Sequence, residues 1–338
     1  MSNQTKKQLK DISYSVLDLA PVKEIGEISD ALHRSRDLAQ HVEKLGYNRF
    51  WLAEHHNMPF IASSATSVVI GHVAAGTSTL RVGSGGVMLP NHSPLVIAEQ
   101  FGTLESLFPG RIDLGLGRAP GTDQRTAFAL RRGQGSMGQD FPDLLGELRS
   151  YFDPTLSQGT SPVRAVPGEG LDIPIWLLGS SLYSAQLAGE LGLPYSFASH
   201  FSPKNTISAL ETYRSHFKPS KVLDEPYAMV GVNVIVADTD EEANFLATTL
   251  QQQFLNLIRN HEAPIQPPVE KLNASEYELA TLHQQLATSI VGGPETVKRK
   301  MQEFLDETQA DEMMVITSIY DHEKRKESYK LLSDITKG

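Results

Sequence analysis

The strongest constraint on this chain is an alternation, repeated eight times, of short apolar runs with longer amphipathic segments over 338 residues. The runs are rich in Val, Ile and Leu and have the length of buried strands, whereas the segments between them have helical periodicity. The alternation predicts an α/β fold, a (β/α)8 barrel, although a doubly wound open sheet has the same local pattern. The strands are predicted at residues 12–19, 49–52, 80–83, 112–116, 175–178, 195–198, 227–236 and 313–316.

Two intervals between predicted strands are too long for simple connections. They are residues 118–174, after strand 4, and residues 257–293, after strand 7. Long insertions in a barrel usually form lids or binding loops, so we expect both at the C-terminal mouth or the flank of a single barrel domain spanning 1–338. Helices are predicted at residues 30–45, 66–75, 95–107, 183–191, 205–217, 240–256, 295–307 and 322–332.

Composition excludes several classes of site and partner. The chain has no cysteine, which rules out disulfides, thiolate nucleophiles and cysteine-ligated metals. Its 30 basic and 40 acidic side chains give a net charge of −10, which disfavours nucleic acid and anionic membranes as partners. Neither a secretory signal nor a membrane-length apolar run is present, so we expect a cytoplasmic protein.

The chemistry of a parallel barrel lies at the C-terminal ends of its strands. Strand 2 is followed by AEHHNMPF, strand 3 by SGGVMLPNHSP, strand 4 by GRAPGTD, strand 5 by GSSLYSA and strand 6 by SHF. Histidines, glycines, serines and an arginine therefore gather at the predicted mouth, whereas the opposite ends show little such chemistry. The mouth is the expected functional site.

The run Glu54-His55-His56 could contribute to a metal site, but neighbouring side chains on an extended segment point to opposite sides. We therefore expect no metal, and one histidine facing a ligand as a donor or proton carrier. Glu54 and a histidine could equally satisfy backbone groups of the loop. The glycines after strand 3 are typical either of a bulge or of bare backbone against a flat ring.

Two neighbouring strand ends carry groups suited to a phosphate. Gly179, Ser180 and Ser181 open a helix whose free N–H groups could bind an anion, although a serine N-cap gives the same pattern. Arg118 follows strand 4 and could supply the countercharge through its planar fork, or form a surface ion pair. No GxGxxG follows strand 1, which argues against a dinucleotide fold.

The runs WLAEHH, RVGSGGVMLPNHSPLVIAEQFGTLESLFPGRIDLGLGRAPG and IWLLGSS resemble the bacterial luciferase-like flavin monooxygenase family, within its branch of luciferase-like oxidoreductases. The resemblance extends over nearly the whole chain. It implies a (β/α)8 barrel that binds reduced FMN, with the deazaflavin F420 as the alternative cofactor. It also implies a separate NAD(P)H-dependent flavin reductase, O2 and a small organic substrate as partners, and a homodimer by family habit.

The resemblance assigns roles to individual residues. His55, with Glu54 beside it, is implied as catalytic next to the flavin, and Arg118 with Gly179, Ser180, Ser181 and Ser184 as the phosphate site. Ser84, Gly85 and Gly86 would lie along the ring, with a bulged or cis Gly85–Gly86 peptide. We expect Gly86→Val to obstruct the ring without unfolding the barrel.

Two positions depart from luciferase itself. Gly117 stands where luciferase has a cysteine near the flavin, and Ser180 where it has a phosphate-loop glutamate. Light emission from an aldehyde is therefore not implied. The predicted activity is oxygenation of a small organic substrate, and the alternatives are an F420-dependent oxidoreductase or a flavin-binding protein without turnover.

Overall fold

Eight parallel strands close into a barrel in the computed structural model, which describes residues 6–119, 122–131, 138–156 and 163–337. The barrel order is β1-β2-β3-β4-β5-β6-β7-β9, and pairing of β6 with β7 and of β1 with β9 completes the closure. The closed barrel is confirmed and the open sheet excluded. The strands are β1 Ser13–Asp18, β2 Arg49–Leu52, β3 Arg81–Met88, β4 Ile112–Gly117, β5 Ile175–Gly179, β6 Tyr195–Phe197, β7 Ala228–Val236, β8 Ile290–Gly292 and β9 Glu312–Ile316.

Helices alternate with the strands and cover the outside of the barrel. Apolar faces of these helices and the outward side chains of the strands form the larger core, whereas a smaller cluster that includes Trp51, Trp176 and Met314 fills the barrel interior. In the described part of the chain, no helix has the length and apolar character needed to span a bilayer. The helices are α1 Ile28–Lys44, α2 Thr66–Ala74, α3 Pro94–Leu107, α4 Gln124–Arg131, α5 Phe141–Phe152, α6 Leu182–Leu191, α7 Thr206–His216, α8 Asp240–Ile258, α9 Glu276–Gln285, α10 Pro294–Thr308 and α11 His322–Lys337.

The two insertions contain regular elements that the sequence pattern did not reveal. Residues 118–174 include α4 and α5, and residues 257–293 include α9 and the short strand β8. The start of α4 lies over the loop after β2, since Thr122 donates to the carbonyl of His56 at 2.9 Å and Asn57 donates to Asp123 at 3.1 Å. β8 pairs with the C-terminal end of β7. Parts of the first insertion, 120–121, 132–137 and 157–162, lie outside the described residues.

The N-terminal ends of the strands carry an extensive ion network, contrary to the expectation that they hold little chemistry. Arg49 contacts Asp113 at 2.7 Å and Glu312 at 3.1 Å, and Arg81 contacts Asp113 at 2.6 Å. Both carboxylates have no exposed side-chain surface. Two cations and two anions therefore balance at the N-terminal ends of the strands, a face of the barrel that serves stability rather than catalysis. The functional site is therefore expected at the C-terminal mouth of the barrel.

Candidate active site at the mouth of the barrel

The glycine pair of β3 has the irregular backbone expected from the sequence. The Gly85–Gly86 peptide is cis, and the register with β4 shifts between Gly85 and Val87. The prediction of a bulged or cis peptide at this pair is confirmed. A Cβ on Gly85 would lie 2.7 Å from Leu17 Cδ1 and 3.1 Å from Trp51 Cβ, so glycine lets these interior side chains pack against β3, whose backbone at Gly85 borders a small cavity at the mouth.

This cavity lies on the barrel axis among the C-terminal ends of the strands. Its wall combines aliphatic, aromatic and glycine positions with two polar side chains, and its volume is about 50 Å³, well below the roughly 300–1,000 Å³ of typical ligand pockets. The lining residues are Leu17, Trp51, Gly85, Leu178, Gly179, Ser196, Phe197, Ala198, His200, Gly231 and Met314.

Gly86 is not the open wall that the sequence suggested. A Cβ there would lie 2.5 Å from Leu178 Cδ1 and 2.8 Å from the carbonyl oxygen of Gly115. The second contact is with the backbone of β4, which cannot move as a flexible side chain can. The expectation that Gly86→Val would leave the barrel intact is therefore wrong, because valine would push β3 from β4.

Arg118 reaches the first turn of α6, as its position after a neighbouring strand predicted. β4 and β5 are paired in parallel, so their ends lie side by side. The guanidinium carbon of Arg118 lies 4.4 Å from the centroid of the exposed Tyr183 ring. Ser181 is the N-cap of α6, and its hydroxyl makes no capping hydrogen bond. A cation and a helix N-terminus without a side-chain cap thus adjoin at the surface.

The other residues predicted to bind the cofactor make contacts within the protein. Ser84 is fully buried, and its hydroxyl donates to the carbonyl of Gly115 at 2.8 Å. Ser184 is buried in the first turn of α6, and a Cβ on Gly179 would overlap its hydroxyl oxygen. Gly179 therefore permits the close approach of β5 to α6, and Ser180 accepts from Ser202 at 3.2 Å through its carbonyl.

Glu54 is a buried acceptor between the loops after β2 and β3. Its carboxylate accepts from His56 at 2.8 Å and from His92 at 2.9 Å, and the N–H of Met88 donates at 3.1 Å. Asn91 adds a fourth donor at 3.3 Å. Ligand atoms of Glu54, His56 and His92 lie close enough to hold a metal ion. The hydrogen bonds to Glu54 tie the loop after β2 to the segment after β3.

The electrostatics of Glu54 depend on the same donors. Burial by itself would raise the pKa of this carboxyl. Hydrogen bonds from His56 and His92, the charge on His92 and the N–H of Met88 outweigh that effect and lower the pKa of Glu54 to about 2. The ionised carboxylate is therefore favoured in the folded protein.

Replacing Glu54 by glutamine should destabilise the protein at neutral pH. A pKa lowered from 4.5 to about 2 corresponds to roughly 3 kcal/mol of stability, present above pH 4.5 and lost as pH falls toward 2. We expect Glu54→Gln to lower the free energy of unfolding by about 2–3 kcal/mol at pH 7 and by less at pH 3. Urea unfolding at both pH values measures this effect.

The matched control is Glu303→Gln, which removes an exposed carboxylate from a surface ion pair with Arg299. Such pairs contribute about 0.3–0.5 kcal/mol, so the control should change stability little at either pH. If Glu54→Gln lowered the free energy of unfolding no more than the control, the hydrogen bonds to Glu54 would contribute nothing to stability.

Comparison with known proteins shows the family of this chain. The profile of the family described as "Luciferase-like monooxygenase" matches residues 13–312. The chain belongs to this family. It is 54% identical to the "Luciferase-like monooxygenase" of Escherichia coli (strain K12), over 96% of this chain and 97% of the relative. It is 31% identical to the "N-acetyl-S-alkylcysteine monooxygenase" of Bacillus subtilis (strain 168), over 96% and 98%.

Solved structures of luciferase-like proteins share the fold. The crystal structure of apo-MsnO8 is 35% identical, with a TM-score of 0.86 over 96% of this chain and 98% of that chain. The FMN complex of the oxygenating constituent of 3,6-diketocamphane monooxygenase from Pseudomonas putida has a TM-score of 0.71 at 17% identity, covering 95% and 97%. An F420-dependent secondary alcohol dehydrogenase has a TM-score of 0.69 at 14% identity, covering 95% and 97%. Structural neighbours of this family member thus include both FMN and F420 proteins.

Two histidines of this family member were missed as individual site residues. His92 donates a hydrogen bond to Glu54, and His200 lines the mouth cavity, where burial and the nearby His55 lower its pKa to about 4. Both stand in the segments that follow strands 3 and 6, LPNHSP and SHF, which the sequence had marked as the mouth. Their position after a strand was the available signal.

Proposed function

We propose that this protein is a monooxygenase that uses reduced FMN from a separate NAD(P)H-dependent reductase, and O2, to oxygenate a small organic substrate. The observation that carries the proposal is the contact of Arg118 with the first turn of α6, at the same barrel mouth as the bare wall of Gly85. A cation next to a helix N-terminus suits a phosphate, and bare backbone suits a flat ring. FMN contains both groups.

The residues present fit this cofactor. Arg118 would bind the phosphate through its guanidinium, and the N–H groups of Ser180 and Ser181 would add the favourable end of the α6 dipole. Gly85 would lie along the ring, with the interior aromatic cluster beneath it. Reduced FMN would supply the electrons that activate O2, which protein side chains cannot supply.

The protein's own residues would orient the reactants and exclude water. His55 is half-buried in the loop after β2, near the cavity residue His200, where it would carry a proton. Glu54 would act as a positioning residue, because its donors hold the loop that bears His55 against the segment after β3. The name of the Bacillus subtilis relative suggests thioethers such as N-acetyl-S-alkylcysteines as the first substrates to test.

The experiment is an isotope-labelled turnover. The protein is incubated with NADH, FMN, a generic flavin reductase and a panel of thioethers under 18O2, and products are analysed by mass spectrometry. We expect a product heavier by one 18O atom, which is absent when the protein is omitted or when 18O is supplied only in water.

Two results would contradict the proposal. Oxidation of reduced F420 without any O2 requirement would indicate a hydride-transfer enzyme. Tight FMN binding with no oxygen transfer to any substrate of the panel would favour a flavin-binding protein without turnover.

A further inference from the structure

Three potential metal ligands meet between the loop after β2 and the segment after β3. The ligand atoms of Glu54, His56 and His92 all lie within 4.8 Å of one another. Nε2 of His56 lies 2.8 Å from Oε1 of Glu54, and Nε2 of His92 lies 2.9 Å from the same oxygen. Ligands of a tetrahedral ion bound at about 2.0–2.1 Å are about 3.3–3.4 Å apart, so each nitrogen needs to move only about half an ångström from this oxygen to admit an ion.

The fold brings together residues that are separated in the sequence. His55 and His56 are not expected to share an ion, because neighbouring side chains on an extended segment point to opposite sides. Glu54 and His56 are two positions apart, so this objection does not apply to them. His92 comes from the segment after β3 and contacts the same carboxylate. Folding thus supplies a third ligand that the sequence-based expectation of no metal did not include.

The donor set has the composition of a transition-metal site. Two imidazoles and one carboxylate suit Zn²⁺, whereas Mg²⁺ and Ca²⁺ prefer oxygen ligands. Two further donors would continue to orient the carboxylate of Glu54 once an ion was bound. They are the N–H of Met88 at 3.1 Å and the side-chain amide of Asn91 at 3.3 Å. Ligating carboxylates usually have hydrogen-bonded support of this kind.

An ion has a path from solvent to these three residues. The side chains of His56 and His92 are 16% and 26% exposed, whereas that of Glu54 is 2% exposed. His56 also lines an open cavity of about 490 Å³ between the loop after β2 and α4. Three protein ligands leave a fourth position of a tetrahedral ion for water or a small ligand. The residues lining this cavity are His56, Asn57, Arg125, Thr126, Ala129 and Leu130.

We propose that Glu54, His56 and His92 bind a divalent transition-metal ion of the zinc type. Each imidazole coordinates through Nε2 and keeps its proton on Nδ1, so the ion replaces the two hydrogen bonds to Glu54 and no electron is transferred. The bound ion joins the loop after β2 to the segment after β3. The inference is independent of the proposed flavin, because none of the three residues is among those described as lining the mouth cavity.

The test is a calorimetric titration of the EDTA-treated, dialysed protein with ZnCl2 in the presence of excess Mg²⁺. We expect the wild type to bind one Zn²⁺ per chain. Both His56→Gln and His92→Gln should weaken this binding by about 100-fold or more, because loss of an outer partner alone typically costs about 10- to 100-fold. The matched control is His322→Gln, which removes an imidazole that contacts Asp37 at 2.7 Å on the outside of the barrel. It should leave the affinity for Zn²⁺ unchanged.

The melting temperature gives a second readout that the wild type supplies without any variant. Because Zn²⁺ would bind only the folded protein, it should raise the Tm of the wild type and of His322→Gln, but not that of His56→Gln or His92→Gln. Circular dichroism checks that each variant is folded. Absence of saturable Zn²⁺ binding to the wild type, or wild-type affinity in both folded His56→Gln and His92→Gln, would overturn the assignment.

Discussion

Replacing Arg118 by alanine should weaken FMN binding roughly 10- to 150-fold while leaving riboflavin affinity unchanged. The phosphate of FMN carries about −1.5 to −2 charges at neutral pH, and a protein of net charge −10 repels it at long range. Binding therefore needs a local positive site that acts within the roughly 8 Å Debye length. Loss of one charge-assisted contact costs about 1.5–3 kcal/mol, which gives the expected range.

The controls separate local charge from global charge. Arg118→Lys retains the cation but loses the planar fork and should lie between the wild type and Arg118→Ala. Arg299→Ala removes the same charge from an exposed ion pair on α10 and should leave both affinities unchanged. Anaerobic titration of both reduced flavins measures all of these effects. Equal losses of FMN and riboflavin for Arg118→Ala would show that the arginine supports the fold or the ring instead.

Replacing Arg49 by methionine should lower the free energy of unfolding by about 3–5 kcal/mol. The arginine lies between the buried carboxylates of Asp113 and Glu312, and its guanidinium stacks 4.8 Å from the ring of Trp176. Burial disfavours the charge, but Glu312 and Asp113 together raise the pKa of Arg49 above its ordinary value. Removal would leave Glu312 without its cation and Asp113 with the charge of Arg81, and breaking a buried ion pair typically costs this much.

A double variant tests the electrostatic cause. Glu312→Gln removes one of the two carboxylates, so its addition to Arg49→Met should cost less than the sum of the single changes. Arg299→Met is the surface control and should cost less than about 1 kcal/mol. Urea unfolding of the wild type and these four variants measures the effects. A loss below 1 kcal/mol for Arg49→Met, or strict additivity in the double variant, would show that the network does not stabilise the barrel.

The barrel was predictable because its signal is local and repeated. The predicted bounds of β2, residues 49–52, are those of the structure, and the other barrel strands differ at one or both ends by a few residues. The elements that the sequence did not predict are short or lie in irregular sequence. β8 has only three residues, and α4 and α5 belong to the long insertion between β4 and β5. Whether such elements form depends on their packing against the barrel, and the hydrophobic periodicity of the sequence does not indicate this packing.

The sequence predicted which strand ends form the candidate site, but it did not predict the individual contacts within it. Arg118 could be placed beside the start of α6 because parallel neighbouring strands bring their ends together. The donors to Glu54 and the position of His200 depend on loops that meet only after folding. The obstruction at Gly86 likewise depends on its distance from the backbone of Gly115, about which the sequence carries no information.

The most direct test of the central claim is the affinity of the wild-type protein for three reduced cofactors, measured anaerobically by fluorescence titration or calorimetry. FMN and riboflavin share the ring, whereas F420 has a deazaflavin ring. The account predicts that FMN binds most tightly and exceeds riboflavin by roughly 10-fold or more, because only FMN engages both the ring wall and the Arg118 site. Equal binding of FMN and riboflavin, or a preference for F420, would contradict it.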